Sequence, residues 1–199
     1  MPYNMQSETN PMVSNFKDLK VEDATVQDIL DLGYFLLKWF KFKGFGNPFN
    51  YNRFFELVQA NLLGYSLTKV GGGSDGINDQ DETTEFKATE FLGFTKRGDE
   101  RSHSFTYNGT TRKDTLEEQK KYCREKIMRD PLHHCSIIDH EAGKIIKTIQ
   151  LTNEQVWQLL WPKWENSWHK PKAADPRIGG SISTAEMKKA GIEYVTITH

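Results

Sequence analysis

The chain has 199 residues, 37% of them hydrophobic and 12% aromatic, with 26 basic side chains against 27 acidic ones. That is enough apolar material for one domain with a sizeable core and barely enough for two. A formal net charge of −1 argues against a polyanion binder that works through its overall field, though not against one that gathers its lysines and arginines on one face.

Residues 1–20 carry little periodicity and read as an N-terminal arm; residues 21–199 read as a single domain. Between Asp23 and Lys43, apolar residues recur at helical spacing (Ile29, Leu30, Leu32, Phe35, Leu36, Trp39, Phe40). This longest apolar stretch is interrupted by Asp31, Gly33 and Lys38, too soon for a membrane span. The polar N-terminus has no signal-peptide core, and Cys123 and Cys135 fit neither a disulfide framework nor a thiolate metal site, so a cytoplasmic protein is expected. A second helix is expected over Asn52–Leu63, capped by Asn50 or Asn52 and stopped by Gly64. Strands follow at Tyr65–Val70, Asp75–Asn78 and Thr84–Phe91, the last two joined by the polar turn Asp79–Glu82. Gly98–Asp114 reads as a loop or irregular hairpin, and Leu116–Met128 as a charged helix. Strands His134–Ile138 and Lys144–Gln150 are joined by the turn DHEAG. Thr152 with Gln155, and Ser183 with Glu186, form capping boxes for two more helices. Pro162 is expected to end the first of these, leaving Lys163–Gly180 as a turn-rich connection. A terminal strand covers Ile192–Thr198. The pattern is an α/β fold: a mixed central β-sheet flanked by helices.

The chemistry is concentrated in SDGINDQDETTEFKATEF. Residues two apart on a strand share a face, so Glu85 and Lys87 project together while Phe86 and Ala88 enter the opposite layer. A hairpin would return Asp75, ten residues earlier, to the side of Glu85; Asp79 and Asp81 compete for that place. Two close carboxylates stay ionised most easily around a divalent cation, and hard oxygen ligands without nearby His or Cys suit Mg²⁺. The Lys87 ammonium can orient water and stabilise charge on a phosphorane. Upstream, Glu56 sits on a mainly apolar helix, from which it can bind the metal, a second metal or Lys87, or simply face solvent. Gly71–Gly72–Gly73–Ser74 removes side chains where a phosphodiester backbone needs close approach.

Over residues 52–91 this order of parts resembles the PD-(D/E)xK nuclease superfamily, which includes many type II restriction endonucleases. The resemblance implies a helical acid at Glu56, metal carboxylates at Asp75 and Glu85, and the family lysine at Lys87, with Ser74 where the family has proline. It further implies a Mg²⁺-dependent endodeoxyribonuclease acting on double-stranded DNA, with water attacking in line to leave a 5′-phosphate and a 3′-hydroxyl. One site per chain implies a homodimer for cutting both strands of a palindrome; a nicking or repair nuclease, or a non-catalytic DNA-binding module, is the alternative. No nucleotide-binding signature is present.

Two segments carry residues suited to DNA: Lys96, Arg97, Arg101 and Arg112 in the first, and Lys170, Lys172 and Arg177 in the second. His133 and His134 point to opposite sides of a strand, which argues against a shared metal and for structural roles. Trp157, Trp161, Trp164 and Trp168 fall on one side of a helix and read as core or interface.

Overall fold

Periodicity and its punctuation set the helices. The computed structural model describes residues 20–199 apart from 51, 72, 109 and 171–176; the arm of residues 1–20, Lys20 excepted, lies outside the described residues. Helix α1 spans Val26–Lys43. Its Thr25 cap accepts the Asp28 N–H, the Asp28 carboxylate accepts the Thr25 N–H in return, and Gly44 closes the helix at φ 77°. Helix α2 spans Arg53–Leu63 and ends at Gly64. Asn52 precedes it in a left-handed conformation and makes no side-chain cap, so the expected asparagine cap is absent at that position.

Strands β1 (Ser66–Leu67), β2 (Gly76–Ile77) and β3 (Thr83–Glu90) form an antiparallel meander. β4 (Ser104–Tyr107) leads to helix α3 (Leu116–Met128), which crosses to β5 (Leu132–Asp139), parallel to β3. β6 (Lys144–Thr152) folds back on β5, and helix α4 (Asn153–His169) follows. β7 (Gly180–Ser183), helix α5 (Thr184–Lys189) and β8 (Val195–Thr198) complete the chain. The six-stranded sheet runs β1-β2-β3-β5-β6-β8, and β4 pairs with β7 in a separate ribbon. The architecture is the α/β fold expected, a mixed central sheet flanked by helices.

Three segments differ from expectation, the simplest being β7, a strand where a turn-rich connection was expected to run straight into the Ser183 cap. Within Gly98–Asp114, β4 alternates exposed Ser104 and Thr106 with buried Phe105 and Tyr107; four residues are too short a run for a period of two to stand out among polar neighbours. Helix α4 does not stop at Pro162 but continues to His169. An interior proline costs about 3 kcal/mol, and continuing the helix places Trp164 wholly inside the core with Trp168 packed against it. Burial of two indoles offsets that cost.

The large core lies on the sheet face bearing Cys135, Ile137, Ile149 and Leu151, against α3, α4 and α5. A smaller cluster of Phe40, Ala60, Leu67 and Phe86 lies beneath α1 and α2. Cys123 and Cys135 are both free and buried. No helix among the described residues is long and apolar enough to cross a membrane.

Candidate active site

The candidate site forms where β2 parts from β3. The register pairs Ile77 with Thr83 and Gly76 with Thr84, so one further step sets Asp75 across from Glu85. β2 has ended there, and the Phe86 N–H donates to Asp75 Oδ2 at 3.0 Å. Asp75 N–H donates to Thr84 O at 3.0 Å, and Thr68 N–H donates to Asp75 O at 3.0 Å. The acid is therefore held from both neighbouring strands. Asp79 and Asp81 sit exposed in the turn at the other end of this hairpin, so of the three candidate acids Asp75 is the one beside Glu85.

Strand alternation places Glu85 and Lys87 together on the large-core face, in register with His133 and Cys135 of β5. Lys87 Nζ bonds the Glu85 carboxylate, donates to Phe86 O at 3.0 Å and lies 5.4 Å from the centre of the Tyr107 ring. Phe86 points the other way, into the small cluster. Glu56 reaches the site from α2, where Arg53, one turn earlier, forms an ion pair with it. Arg53 is itself fixed by Phe45 O and Thr68 O.

The protonation equilibria show how crowded these charges are. Burial, then the charge of Glu85 and, after it, that of Glu56, push the Asp75 carboxyl up to about 7. Burial also raises Glu56, against the pull of Arg53. Burial presses Glu85 upward, but the Lys87 ammonium outweighs it and holds this carboxyl below its ordinary value. Lys87 is raised: burial works against its charge, and Glu85 and Asp75 overcome that. The lysine is thus a cation at neutral pH.

Glu56 and Asp75 open into a cleft of about 490 Å³ that is also lined by Arg53, Thr68 and Lys69. Glu85 and Lys87 line a smaller pocket of about 170 Å³ with Tyr107, Lys126 and His133. Arg129, whose guanidinium is 3.9 Å from Glu85, stands beside Gly73. A Cβ on that glycine would lie 3.1 Å from the guanidinium, and its φ of 88° favours glycine in any case. Gly71 shares the left-handed conformation, while Gly72 is outside the described residues.

Sequence reasoning missed this rim of Arg53, Lys69, Lys126 and Arg129. Arg53 was marked only by its i,i+3 spacing to Glu56, and Lys126 and Arg129 by their position at the end of the crossover helix. The cations it singled out, where they are described, line neither of these two pockets. Lys96, Arg97 and Arg101 are exposed on the turn beyond Glu90, roughly 17 Å along β3 from Glu85 at about 3.4 Å per residue. Arg101 contributes to a separate pocket with Lys147 and Lys188. Arg112 closes the end of α4, donating to Ser167 O at 2.9 Å and Lys170 O at 2.7 Å. Lys170 is the exposed residue that ends that helix. Arg177 is exposed and bridged to Thr111 through the backbone, and Lys172 lies outside the described residues. His134 bonds Thr84 and Gln150 within the sheet, whereas His133 bonds Ile127 O and also lines the pocket of Glu85 and Lys87.

Among the described residues, no group of three or more His, Cys, Asp or Glu side chains is gathered closely enough to cage a metal ion. A site built on Asp75 and Glu85 therefore offers two carboxylates and leaves other positions to water and substrate oxygens, an arrangement that suits Mg²⁺, which keeps several waters and needs few protein ligands. Burial first, and then the neighbouring acids, raise Asp75, so a positive charge brought here would favour its ionised form. No protein-family model matches the chain, and no curated protein matches it in sequence.

Proposed function

We propose that the chain is a Mg²⁺-dependent endodeoxyribonuclease that hydrolyses phosphodiester bonds of double-stranded DNA, of the restriction type that reads a short sequence. One observation carries the reading: Asp75, Glu85 and Lys87 stand together at the point where β2 ends against β3, with Asp75 raised by burial and then by its acidic neighbours, and Lys87 held as a cation.

Asp75 and Glu85 would hold the ion. When bound, Mg²⁺ polarises a phosphoryl oxygen and lowers the pKa of a coordinated water. Lys87 keeps its proton, so its role is electrostatic: the ammonium donates to a non-bridging phosphate oxygen and stabilises the charge that grows there. It is not the base. Glu56 holds Arg53 across the mouth of the cleft, and Lys69, Lys126 and Arg129 are placed to meet flanking phosphates. These contacts orient the backbone without reading sequence. Water attacks phosphorus in line, its oxygen bonding to phosphorus as one proton passes to solvent; the bond to the 3′ oxygen breaks with its electron pair, and that oxygen takes a proton from solvent to leave as the 3′-hydroxyl while the phosphate stays on the 5′ end.

Digestion of a plasmid with and without Mg²⁺ tests the proposal. Wild type should give discrete, metal-dependent products, and Glu85→Ala and Lys87→Ala should each slow cutting by about 10²–10³-fold, the size of effect expected when one charge-stabilising group is lost. Cutting in excess chelator, or full activity of Lys87→Ala, would overturn it. Products that are only nicked circles would move the reading to a nicking enzyme with the same site.

A further inference from the structure

We propose that the open edge of β3 seats one nucleoside of the DNA, turned out of the duplex beside the scissile phosphate, a role that rests on the nuclease reading. β2 pairs with β3 only at Thr83 and Thr84, and no other strand takes up this edge among the described residues. Thr84 O and the Phe86 N–H both face it, each bonded to Asp75. Backbone groups two residues apart on a strand share an edge, so the N–H and C=O of Ala88 open onto the same gap. They stand as a donor and an acceptor side by side, with no strand to meet them.

Two walls flank the gap. Asn52, Glu56 and Gln59 fall on one stripe of α2 and the residue before it, and Ser104, Thr106 and Asn108 on one face of β4 and its continuation. With Lys87 and Ala88 they enclose about 310 Å³. Apart from Glu56 and Lys87, which the catalytic site shares, every lining residue is neutral. The rim over Asp75 is cationic by contrast. Charge meets phosphate, whereas amides, hydroxyls and peptide groups read base edges. Asn52 makes no side-chain cap and holds a left-handed backbone at φ 64°. Asn108 accepts from Lys126 through its backbone oxygen, which leaves its amide out of that bond.

The space decides the form of the ligand. It stands at the small end of ligand pockets and cannot admit a duplex, whose major groove alone is about 12 Å across. One base with its sugar fits. A phosphate held by Lys87 puts its own nucleoside at the mouth of this trough, and the base enters only by leaving the stack.

Fluorescence anisotropy in excess chelator is the test, because it reads binding without cutting. The probes are a labelled duplex, the same duplex with one extra unpaired nucleotide, and the same again with an abasic residue at that place. Wild type should hold the unpaired nucleotide at least about tenfold tighter than the paired duplex, since no unstacking is then required. The abasic probe should gain less than about threefold. Asn52→Gly with Asn108→Ala should bring the advantage below about threefold. The slope of log affinity against log salt should not change in this variant, as neither side chain is placed on phosphate. Glycine keeps the left-handed backbone and both side chains are exposed, so circular dichroism should be that of wild type. Equal binding of the paired and unpaired probes by wild type would overturn the proposal, as would an advantage that survives in the double variant. A preference for the unpaired nucleotide without Mg²⁺-dependent cutting would uphold the seat and remove the nuclease reading; cutting without that preference would do the reverse.

Discussion

The two faces of the central sheet are built from different chemistry. On the face toward α3 and α4, β5 and β6 present Cys135, Ile137, Ile149 and Leu151, which close on Leu160, Trp164 and Met187, and polar His133 stands at the end of that face beside Glu85 and Lys87. On the face toward α2, the same strands present hydrogen-bonding groups. Thr84 bonds His134, which bonds Gln150; Ser136 bonds both Gln59 and Thr148; Thr148 bonds His199. Apolar packing tolerates sliding and volume exchange, whereas a hydrogen-bonded network specifies one register. Glu85 and Lys87 stand on the first face, at the end of β3 where β2 stops and Asp75 is held. The first face supplies bulk stability to β3, and the second holds α2, with Glu56, in place over it.

Substitutions on each face separate these contributions. The largest expected effect is on the apolar face. Trp164 is fully buried, and Trp164→Ala should cost about 3–5 kcal/mol, read as a drop in the urea midpoint with an unchanged slope. A loss below about 1 kcal/mol would mean that this core is not what holds the sheet.

A smaller effect is expected beside the site. Gly76→Ala would put a Cβ 2.7 Å from Cε2 and 2.8 Å from Cζ of Phe86. The ring is buried and cannot yield freely, so overpacking should cost about 1–3 kcal/mol and push β2, with Asp75, away from β3. Nuclease rate should fall more steeply than stability. Equal falls would remove the link between this contact and the site.

The smallest of the three is a pH effect. The Asp75 carboxyl sits at about 7 in the fold, against an ordinary 3.8. Between those values the folded chain holds a proton that the unfolded chain has released. Stability from this group is therefore complete below pH 4 and fades as pH rises through 7. Partial exposure screens the effect. In the absence of metal, the urea midpoint should be lower at pH 8 than at pH 5, and Asp75→Asn should flatten that difference. Mg²⁺ requires the ionised carboxylate, so its stabilising effect should grow over the same interval. An unchanged slope in the Asp75→Asn variant would assign the titration to another group.

What the sequence made legible follows the range of the forces involved. α3 was readable to the residue, because Thr115 and Glu118 cap it locally, and the shared face of Glu85 and Lys87 follows from strand geometry alone. The choice of Asp75 over Asp79 and Asp81 required the pairing of Gly76 with Thr84, which depends on where a two-residue strand begins. The length of α4 was hidden because Pro162 is a local stop signal overruled by tertiary burial of Trp164. The basic rim was hidden for a similar reason. Arg53 and Arg129 are 76 positions apart; Arg53 pairs with Glu56 and Arg129 with Glu85, and only the fold brings the two pairs to one site. Arg112 adds a role that its side-chain chemistry did not announce: it donates to the open carbonyls at the end of α4.

The bond from the Phe86 N–H to Asp75 Oδ2 divides the labour within one side chain. One oxygen completes the backbone pairing of β3 in place of the missing strand, and so belongs to the architecture. The other is the oxygen that would meet the proposed ion. Asparagine at this position keeps an acceptor for the N–H but loses the charge, whereas alanine loses both, so the two replacements distinguish a residue that ends a strand from one that receives a cation. Evolution toward a different chemistry at this edge would have to preserve the first oxygen before it could dispense with the second.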